Sequence, residues 1–339
     1  MPPTPLISVV IVAHDRSEFL DEALRSAANQ TLDRNRYELI LVKNFRDPNI
    51  DRLCDELNID SVFTDAGPLS QKILVGVHRG RGEIFTFLDY DDRYVPSRLQ
   101  CVTSEFEKDP SLGFMHNGLE FIDSEGRPIT EGLKPSFRLM TRYRRRVVIG
   151  DAAKRQNNPR VGNARPGLNV GAMAVRREVL DLAKPYLARI SLTVDSLLYY
   201  AGWTAPFAVL VDPRKLTQYR LHSSNVSVAT GMSKGNALSR QVDYRQTRKQ
   251  DFSVMLELVK EGGRVELLRD LGALALCDQV LEDLRGSTLR RRDAGRQLYN
   301  LSKYLWPGSL SLMLLQTTVY AASATFSPAL GRRLALQAS

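Results

Sequence analysis

Three carboxylates stand within four residues at Asp89-Tyr90-Asp91-Asp92. They follow Ile84-Phe85-Thr86-Phe87-Leu88, an apolar, β-prone run short enough for a buried strand. A strand buried on both faces cannot carry such charges in its middle, but its end exposes them at the lip of a sheet. In open α/β sheets, ligands sit beyond the carboxyl ends of the strands. Carboxylates this close repel one another, and a bound divalent cation is the simplest way to hold them together. Mg²⁺ or Mn²⁺ suits oxygen ligands. The competing reading is structural: Asp91 or Asp92 as the N-cap of a helix starting near Pro96.

The elements that must position these acids follow from hydrophobic periodicity. Leu6 to Ala13 is a near-continuous apolar run and reads as a buried parallel-type strand. His14-Asp15-Arg16-Ser17 is a turn, and Phe19, Leu20, Ala23, Leu24 and Ala27 then recur at helical spacing. Strand Tyr37–Val42, helix Pro48–Leu57, strand Ser61–Phe63 and helix Ser70–Arg79 come next, the last ended by Gly80 and Gly82. This alternation predicts an α/β fold with a parallel, right-handed βαβ sheet. Pro96–Lys108 is a further helix, and Gly113–His116 and Leu119–Asp123 read as strands. Residues 130–166 hold Arg142, Arg144, Arg145, Arg146, Lys154 and Arg155, and read as a basic loop. Such a loop either contacts phosphates or is a solvated charged face.

Gly167–Val175 runs into another strand, and Arg177–Leu187 is helical. Thr193-Val194-Asp195 opens a helix through Tyr200, ended by Gly202-Trp203. Ala208–Val211 and Leu216–His222 read as the last two strands. Past about residue 235 the pattern is helical only: Ala237–Lys260, a break at Gly262-Gly263, Val265–Leu284 and Leu289–Leu305. Between Lys303 and Arg332 there is no charge. A spanning helix needs about 20 apolar residues, and Gln316, Thr317, Thr318, Ser323, Thr325 and Pro328 make this stretch a poor one. Tyr304, Trp306 and Arg332-Arg333 suit an interfacial helix, with a packed soluble helix or a true span as alternatives.

Composition sets bounds. The 339 residues are enough for one large α/β domain and an accessory region, and 43% apolar with 25% charged is ordinary globular composition. The net charge of +9 favours an anionic partner. The basic loop has few interleaved aromatics, Phe137 and Tyr143, which argues against nucleic acid. Cys54, Cys101 and Cys277 are odd in number and widely spaced, so no disulfide framework or zinc ribbon is implied, and a reducing interior fits. The N-terminus shows no signal-peptide pattern. Together these features lead to the expectation of a cytoplasmic protein at the inner membrane face, in peripheral contact with anionic lipid.

Three stretches, in order, resemble the family 2 glycosyltransferases of the GT-A fold. Ser8-Val9-Val10-Ile11-Val12-Ala13-His14-Asp15-Arg16, with Leu20, Leu24, Ser26 and Asn29-Gln30-Thr31, resembles the family's S-V-I-I-P-T-Y-N-R opening and its N-Q-T. Gly82-Glu83 through Phe87-Leu88-Asp89-Tyr90-Asp91-Asp92 resembles G-E-x-I-x-F-L-D-x-D-D, which carries the D-x-D metal motif. Tyr219-Arg220-Leu221-His222-Ser223-Ser224-Asn225-Val226-Ser227 resembles Y-R-x-H-x-x-N-x-S. The likeness covers about residues 6–228. It implies a Rossmann-like, mixed but mostly parallel sheet flanked by helices. The domain reading is a catalytic domain over 1–228 with 130–166 as an acceptor-side loop, a helical extension over 229–306 and an apolar tail over 307–339.

The resemblance also implies roles. Asp89, Asp91 and His222 would hold Mn²⁺ or Mg²⁺ against the diphosphate of a UDP- or GDP-sugar. Asp195 would be the base that accepts the acceptor hydroxyl proton, giving a single displacement with inversion. Ala13, His14, Asp15, Arg16, Asn44, Lys72, Asp89, Tyr90, Asn169 and Gly171 would contact the donor. The acceptor would be a glycan or a lipid-linked saccharide. The chain departs from the pattern at several of these points. Val194 stands where an acid usually precedes Asp195, which leaves a helix N-cap as its alternative. Lys43-Asn44-Phe45-Arg46 replaces Asp-Asp-Gly-Ser, so the base reader is altered. Ile73-Leu74 replaces an Arg-Asn pair, leaving Lys72 either to meet phosphate or to be solvated. His222 could simply cap a strand end. The other readings are a sugar-nucleotide-binding protein without turnover and a nucleotidyltransferase, though His14-Asp15-Arg16-Ser17 is not a Gly-rich phosphate loop.

Overall fold

A computed structural model describes residues 6–133, 145–155, 169–222 and 237–264, with scattered positions from 267 to 322. The chain divides into two compact units: Met1–Asp151 with Pro166–Val228, and Ala152–Arg165 with Ala229–Ser339.

The first unit is α/β. Its elements are β1 (Ile7–Ala13), α1 (Leu20–Ala28), β2 (Tyr37–Lys43), α2 (Pro48–Glu56), β3 (Asp60–Phe63), α3 (Leu69–Arg79), β4 (Ile84–Asp89), β5 (Arg93–Tyr94) and α4 (Arg98–Lys108). There follow β6 (Leu112–Ile122), β7 (Val147–Ile149), β8 (Met173–Arg176), α6 (Arg177–Leu187), α7 (Val194–Thr204) and β9 (Ala208–Arg220), while a short α5 (Asp151–Arg155) after β7 falls in the second unit but for its first residue. Among the described residues the strands form one mixed sheet in the order β3-β2-β1-β4-β8-β6-β9-β5, with β7 paired to β9. The β3-β2-β1-β4 half is parallel, as the alternation predicts, and β6 runs parallel to β9. β8 is inserted antiparallel between β4 and β6.

β1 and β4 are buried on both faces, which is why their sequences run apolar without alternation. Val9, Ile11, Leu41 and Leu88 join one core cluster with Leu20, Leu24, Leu99 and Val102 of α1 and α4. Each such side chain fully buried is worth roughly 1.5–3 kcal/mol. The Gly82 turn sets the entry of β4. A Cβ at Gly82 would lie 2.5 Å from the Ser8 backbone nitrogen, so the two chains approach this closely only with glycine there. Gly82 N–H donates to Ser8 Oγ (2.8 Å), and Ser8 Oγ donates to Glu38 Oε1 (2.6 Å). Gln30, from the Asn-Gln-Thr stretch, is a bolt: its amide donates to Val95 O (3.1 Å) and accepts from Leu99 N–H (2.9 Å). It fastens the end of α1 to the segment just after the acids.

Several boundaries differ from the periodicity. β6 is one eleven-residue strand rather than two, and β9 is one of thirteen. The apparent breaks are register shifts, since Asn117 pairs Asp212 while Gly118 pairs Lys215. Pro213 and Arg214 are thus bulged out, the usual place for a proline within a sheet. Arg214 braces the bulge through Asp212 Oδ2 (Nε, 2.8 Å) and Glu105 Oε1 (2.7 Å). α7 continues through Gly202-Trp203 to Thr204 because both residues are buried in the core. The expected basic loop contains a strand, β7. Just before it, the exposed Arg146 donates to Glu105 Oε2 (2.7 Å), so this guanidinium is engaged in an intramolecular ion pair; Lys154, by contrast, is buried. Arg142, Arg144 and most of the loop lie outside the described residues, as do Ser223–Ser227.

In the second unit a helix α8 (Ala237–Glu261) precedes Gly262-Gly263 at the expected break, and Gly263 has φ +67°. The described positions from 267 to 322 are helical. Among the described residues, no helix is long and apolar enough to cross a membrane. The expected interfacial tail, 307–339, lies almost wholly outside them.

Candidate active site

The site is built on the parallel pairing of β1 with β4. Val12 pairs with Asp89, so the turn after β1 and the acids after β4 emerge side by side. Tyr90 N–H donates to Val12 O (3.1 Å), and Arg16 Nη1 donates to Tyr90 OH (3.4 Å). Ala13 is fully buried and offers only backbone. Asp15 adopts φ +55°, a left-handed turn that an Asp tolerates. Asn44 holds it from the end of β2: Asn44 Nδ2 donates to Asp15 Oδ1 (2.6 Å), and Asp15 N–H donates to Asn44 Oδ1 (3.0 Å). Both ends of the Asn44 amide therefore brace the turn.

Lys72 is fully buried and is not a solvated lysine. Its ammonium donates to Ala66 O and to Gly67 O (3.1 Å) and lies 3.0 Å from His14 Nδ1. Burial pushes its pKa down. His14 Nε2 in turn lies 3.4 Å from Asp15 Oδ2. A separate cavity of about 230 Å³ lies nearby, lined by Lys43, Arg46, Asp51, Asp55, Ser61 and Phe63. None of the sequence-predicted site residues lines it.

The acids divide in function. Asp91 Oδ2 sits 2.9 Å from His222 Nε2, and the His222 ring packs 5.0 Å from the ring of Phe19. Asp92 turns inward: its Oδ1 accepts from Arg220 N–H (2.9 Å). Asp89 closes β4. Burial, then the charges of Asp91 and Asp195, raise its carboxyl to about 7. Asp92 is pushed up for the same reasons, burial first and then Asp91 and Asp89. Among the described residues, three or more His, Cys, Asp or Glu side chains are nowhere gathered into a ready-made metal cage. The Asp91 carboxylate nonetheless suits Mn²⁺ or Mg²⁺, and the His222 imidazole beside it fits a transition ion such as Mn²⁺ better than Mg²⁺. Acids crowded enough to be driven toward neutrality present the repulsion that a divalent ion relieves.

This crowding has a measurable sign. The folded chain keeps the Asp89 proton over a range where the unfolded chain has released it. Stability therefore falls as pH rises from about 4 to about 7, by about 2 kcal/mol after allowing for partial exposure. In EDTA, the melting temperature is expected to drop between pH 5 and pH 7.5, and Asp89→Asn to flatten that slope. A wild-type slope unchanged in Asp89→Asn would contradict it.

Asp195 lies in the first turn of α7, with Thr193 at the N-cap position. It is thus not the cap, although its Oδ1 accepts from Ser196 N–H (2.6 Å). The helix is held firmly, with Leu197, Leu198, Tyr200 and Trp203 all buried. Ser70 Oγ donates to Ile190 O (2.5 Å), tying the preceding loop to α3. Asp195 is close enough to Asp89 to raise its pKa. The predicted base and the predicted metal acids therefore share one electrostatic environment.

Asn169 and Gly171 sit on a 3₁₀ turn (Val170–Ala172) just before β8. Arg98 anchors that turn from below. It is fully buried and donates through Nη2 to Gly171 O and Met173 O (3.0 Å each) and through Nε to Thr217 Oγ1 (3.2 Å). Its guanidinium also stacks 4.0 Å from the Tyr94 ring centroid.

Sequence reasoning quoted Arg220 only as part of a motif. The structure makes it the keystone of the acid loop. It donates to Asp91 O (2.9 Å), Ser124 O (2.9 Å) and Glu22 Oε2 (2.7 Å), and it lies 4.4 Å from the Phe19 ring centroid. Its position two residues before His222 was the available signal. Arg220→Met should cost about 2–3 kcal/mol, because the carbonyls of Asp91 and Ser124 lose their donor, while Glu22, half exposed, keeps Arg93 as a partner. Urea denaturation measures this, and a loss below about 1 kcal/mol would contradict the keystone role.

Residues 8–165 match the family described as Glycosyl transferase family 2. An uncharacterized glycosyltransferase of Nostoc sp. is 26% identical over 280 residues, covering 78% of this chain and 80% of that one. One from Rickettsia felis is 25% identical over 127 residues, covering 36% of this chain and 21% of that one. Among solved structures, S. aureus TarS 1-349 in complex with UDP-GlcNAc superposes with a TM-score of 0.59 at 12% identity. That alignment covers 98% of this chain and 90% of the other, and at such identity the likeness is one of fold. The sheet, the order of its motifs and these matches agree: residues 8–165 match family 2 of the glycosyl transferases, and the first unit has the mixed, mostly parallel α/β fold of GT-A-like glycosyltransferases.

Proposed function

We propose that the protein is an inverting, metal-dependent transferase that moves a sugar from a nucleotide-sugar donor to an acceptor hydroxyl. The observation that carries the reading is Asp195 at the start of α7, close enough to Asp89 to perturb its carboxyl. One acid on the helix side thus acts electrostatically on the cluster at the strand end. The TarS fragment in complex with UDP-GlcNAc supports a nucleotide-sugar donor.

In this reading Asp91 and His222, with Asp89 beside them, hold the divalent ion. When bound, the ion supplies charge neutralisation to the departing diphosphate. Asp195 takes the proton of the acceptor hydroxyl as its oxygen forms a bond to the anomeric carbon. The bond from that carbon to the diphosphate oxygen breaks in the same step, and the diphosphate leaves with the electron pair. No nucleophile of the chain intervenes, so the configuration inverts. Arg16 and Tyr90, bonded to each other at the rim, border the donor side. Asp15, with its turn braced by Asn44, faces the nucleoside.

The acceptor in this proposal is a glycan or lipid-linked saccharide, with the +9 chain in peripheral contact with an anionic membrane. A panel of UDP- and GDP-sugars, assayed for transfer and hydrolysis with Mn²⁺, Mg²⁺ and EDTA, tests the reading. NMR of the product anomer reads the stereochemistry. A retained configuration, or equal turnover with metal and chelator, would refute it. Flotation with phosphatidylglycerol vesicles tests the membrane contact, and absence of binding at low salt would remove it.

A further inference from the structure

We propose that Lys72 is a positioning residue: it fixes the His14 ring in its Nε2–H tautomer and, through that ring, holds the Asp15 turn that meets the nucleoside of the donor. The inference rests on the donor reading above, and it removes Lys72 from direct contact with phosphate. An ammonium has three protons to donate and cannot accept. At Lys72 all three are engaged, by Ala66 O, by Gly67 O (3.1 Å) and by His14 Nδ1 (3.0 Å). Lys72 is fully buried, so none of them faces an incoming anion. A ring nitrogen that accepts from a lysine carries no proton of its own. The pattern of donors thus assigns the His14 proton to Nε2, the atom that lies 3.4 Å from Asp15 Oδ2.

The contacts run from α3 to the rim of the sheet. Asp15 stands in a left-handed conformation, φ +55°, which persists only where the surroundings hold it. Asn44 holds it from one side with both ends of its amide, leaving Asp15 Oδ2 to the imidazole. His14 is itself half exposed and needs a fixed anchor, which Lys72 supplies from beneath. Ala66 and Gly67 precede α3, so the same ammonium also gathers the segment after β3. The segments that follow β1, β2 and β3 are thus joined at the end of the sheet where ligands of α/β folds bind. The charge of Asp15 offsets part of the cost of burying the ammonium. Packing alone does not call for a lysine here. A methionine would fill a similar volume with no charge to desolvate, but it could not donate to a ring nitrogen.

Long-range ¹⁵N–¹H NMR of the imidazole rings in the full chain reads the tautomer, with His14→Ala identifying the signal among the four histidines. Wild type is expected to show His14 protonated at Nε2 alone at neutral pH, and Lys72→Met to show both tautomers in exchange. With the sugar nucleotide that wild type turns over, Lys72→Met should raise KM about tenfold and leave kcat within about threefold. Affinity for UDP or GDP alone should fall in step. Lys72→Arg, which can still donate to Nδ1, should recover the Nε2–H signal and most of the KM. Because Lys72 acts through His14, Lys72→Met combined with His14→Ala should bind the donor within about twofold of His14→Ala alone. Fully additive losses in that cycle overturn the proposal, as does an about tenfold fall in kcat with KM unchanged. A wild-type His14 protonated at Nδ1 overturns it without any variant, so the test survives a Lys72→Met that fails to fold. A wild type that binds neither UDP nor GDP overturns the donor reading instead, an outcome the NMR spectrum keeps distinct.

Discussion

Asp195→Asn is expected to lower transfer by about 1,000-fold while leaving affinity for the sugar nucleotide within about threefold. The magnitude follows from general-base catalysis, which contributes roughly 10²–10⁴. Asparagine keeps the shape of the side chain but cannot take a proton. It also leaves the N–H of Ser196 an acceptor, the carbonyl oxygen replacing the Oδ1 that now accepts it. The helix start is therefore preserved, and its buried residues from Leu197 to Thr204 are untouched. Single-turnover transfer assays and donor titration separate the two effects. A variant with more than a tenth of wild-type turnover would remove Asp195 from the chemistry. Loss of donor binding and transfer together would make it a binding residue.

The second large effect concerns the acids proposed to hold a divalent ion. Chelation, or Asp91→Ala, is expected to reduce turnover by about 1,000-fold, the equivalent of about 4 kcal/mol of barrier. The reason is electrostatic: without a cation the departing diphosphate would meet the like charges of Asp91 and Asp195, and its own charge would raise the Asp89 carboxyl further above about 7. Added Mn²⁺ should restore the chelated wild type but not Asp91→Ala. His222→Ala should fall between, because a carboxylate remains to bind the ion while the 2.9 Å imidazole partner is gone. Full activity of either variant in EDTA would contradict this account.

Much of the fold was legible in the residues. Ile7–Ala13 and Ile84–Asp89 read as buried parallel strands because both faces are covered and every position is apolar until the charged end. α1 and α3 read clearly because their buried positions recur at helical spacing. The same local logic failed at β6 and β9. Pro213 and the polar residues beside it look like a turn, yet pairing with β6 carries the strand through a bulge. β5, only Arg93–Tyr94, has no periodicity to read and exists because β9 is there to pair with it. β7 was hidden inside an arginine-rich stretch for the same reason.

The site was legible in its chemistry but not in its division of labour. Spacing alone placed Asp89, Asp91 and Asp92 at a strand end, and β4 does end at Asp89, the edge of an α/β sheet at which ligands are expected. It could not say that Asp91 meets His222, 131 positions later, or that Asp92 faces inward to the backbone of Arg220. Nor could it show that Asn44 braces the Asp15 turn or that Lys72 is enclosed beneath His14. Local sequence determines which segments bury apolar surface and which groups carry charge, because those depend on neighbours a few residues away. Which charged groups meet, which are buried and which remain unpaired depends on the crossing of distant strands and helices, and only the tertiary structure decided that.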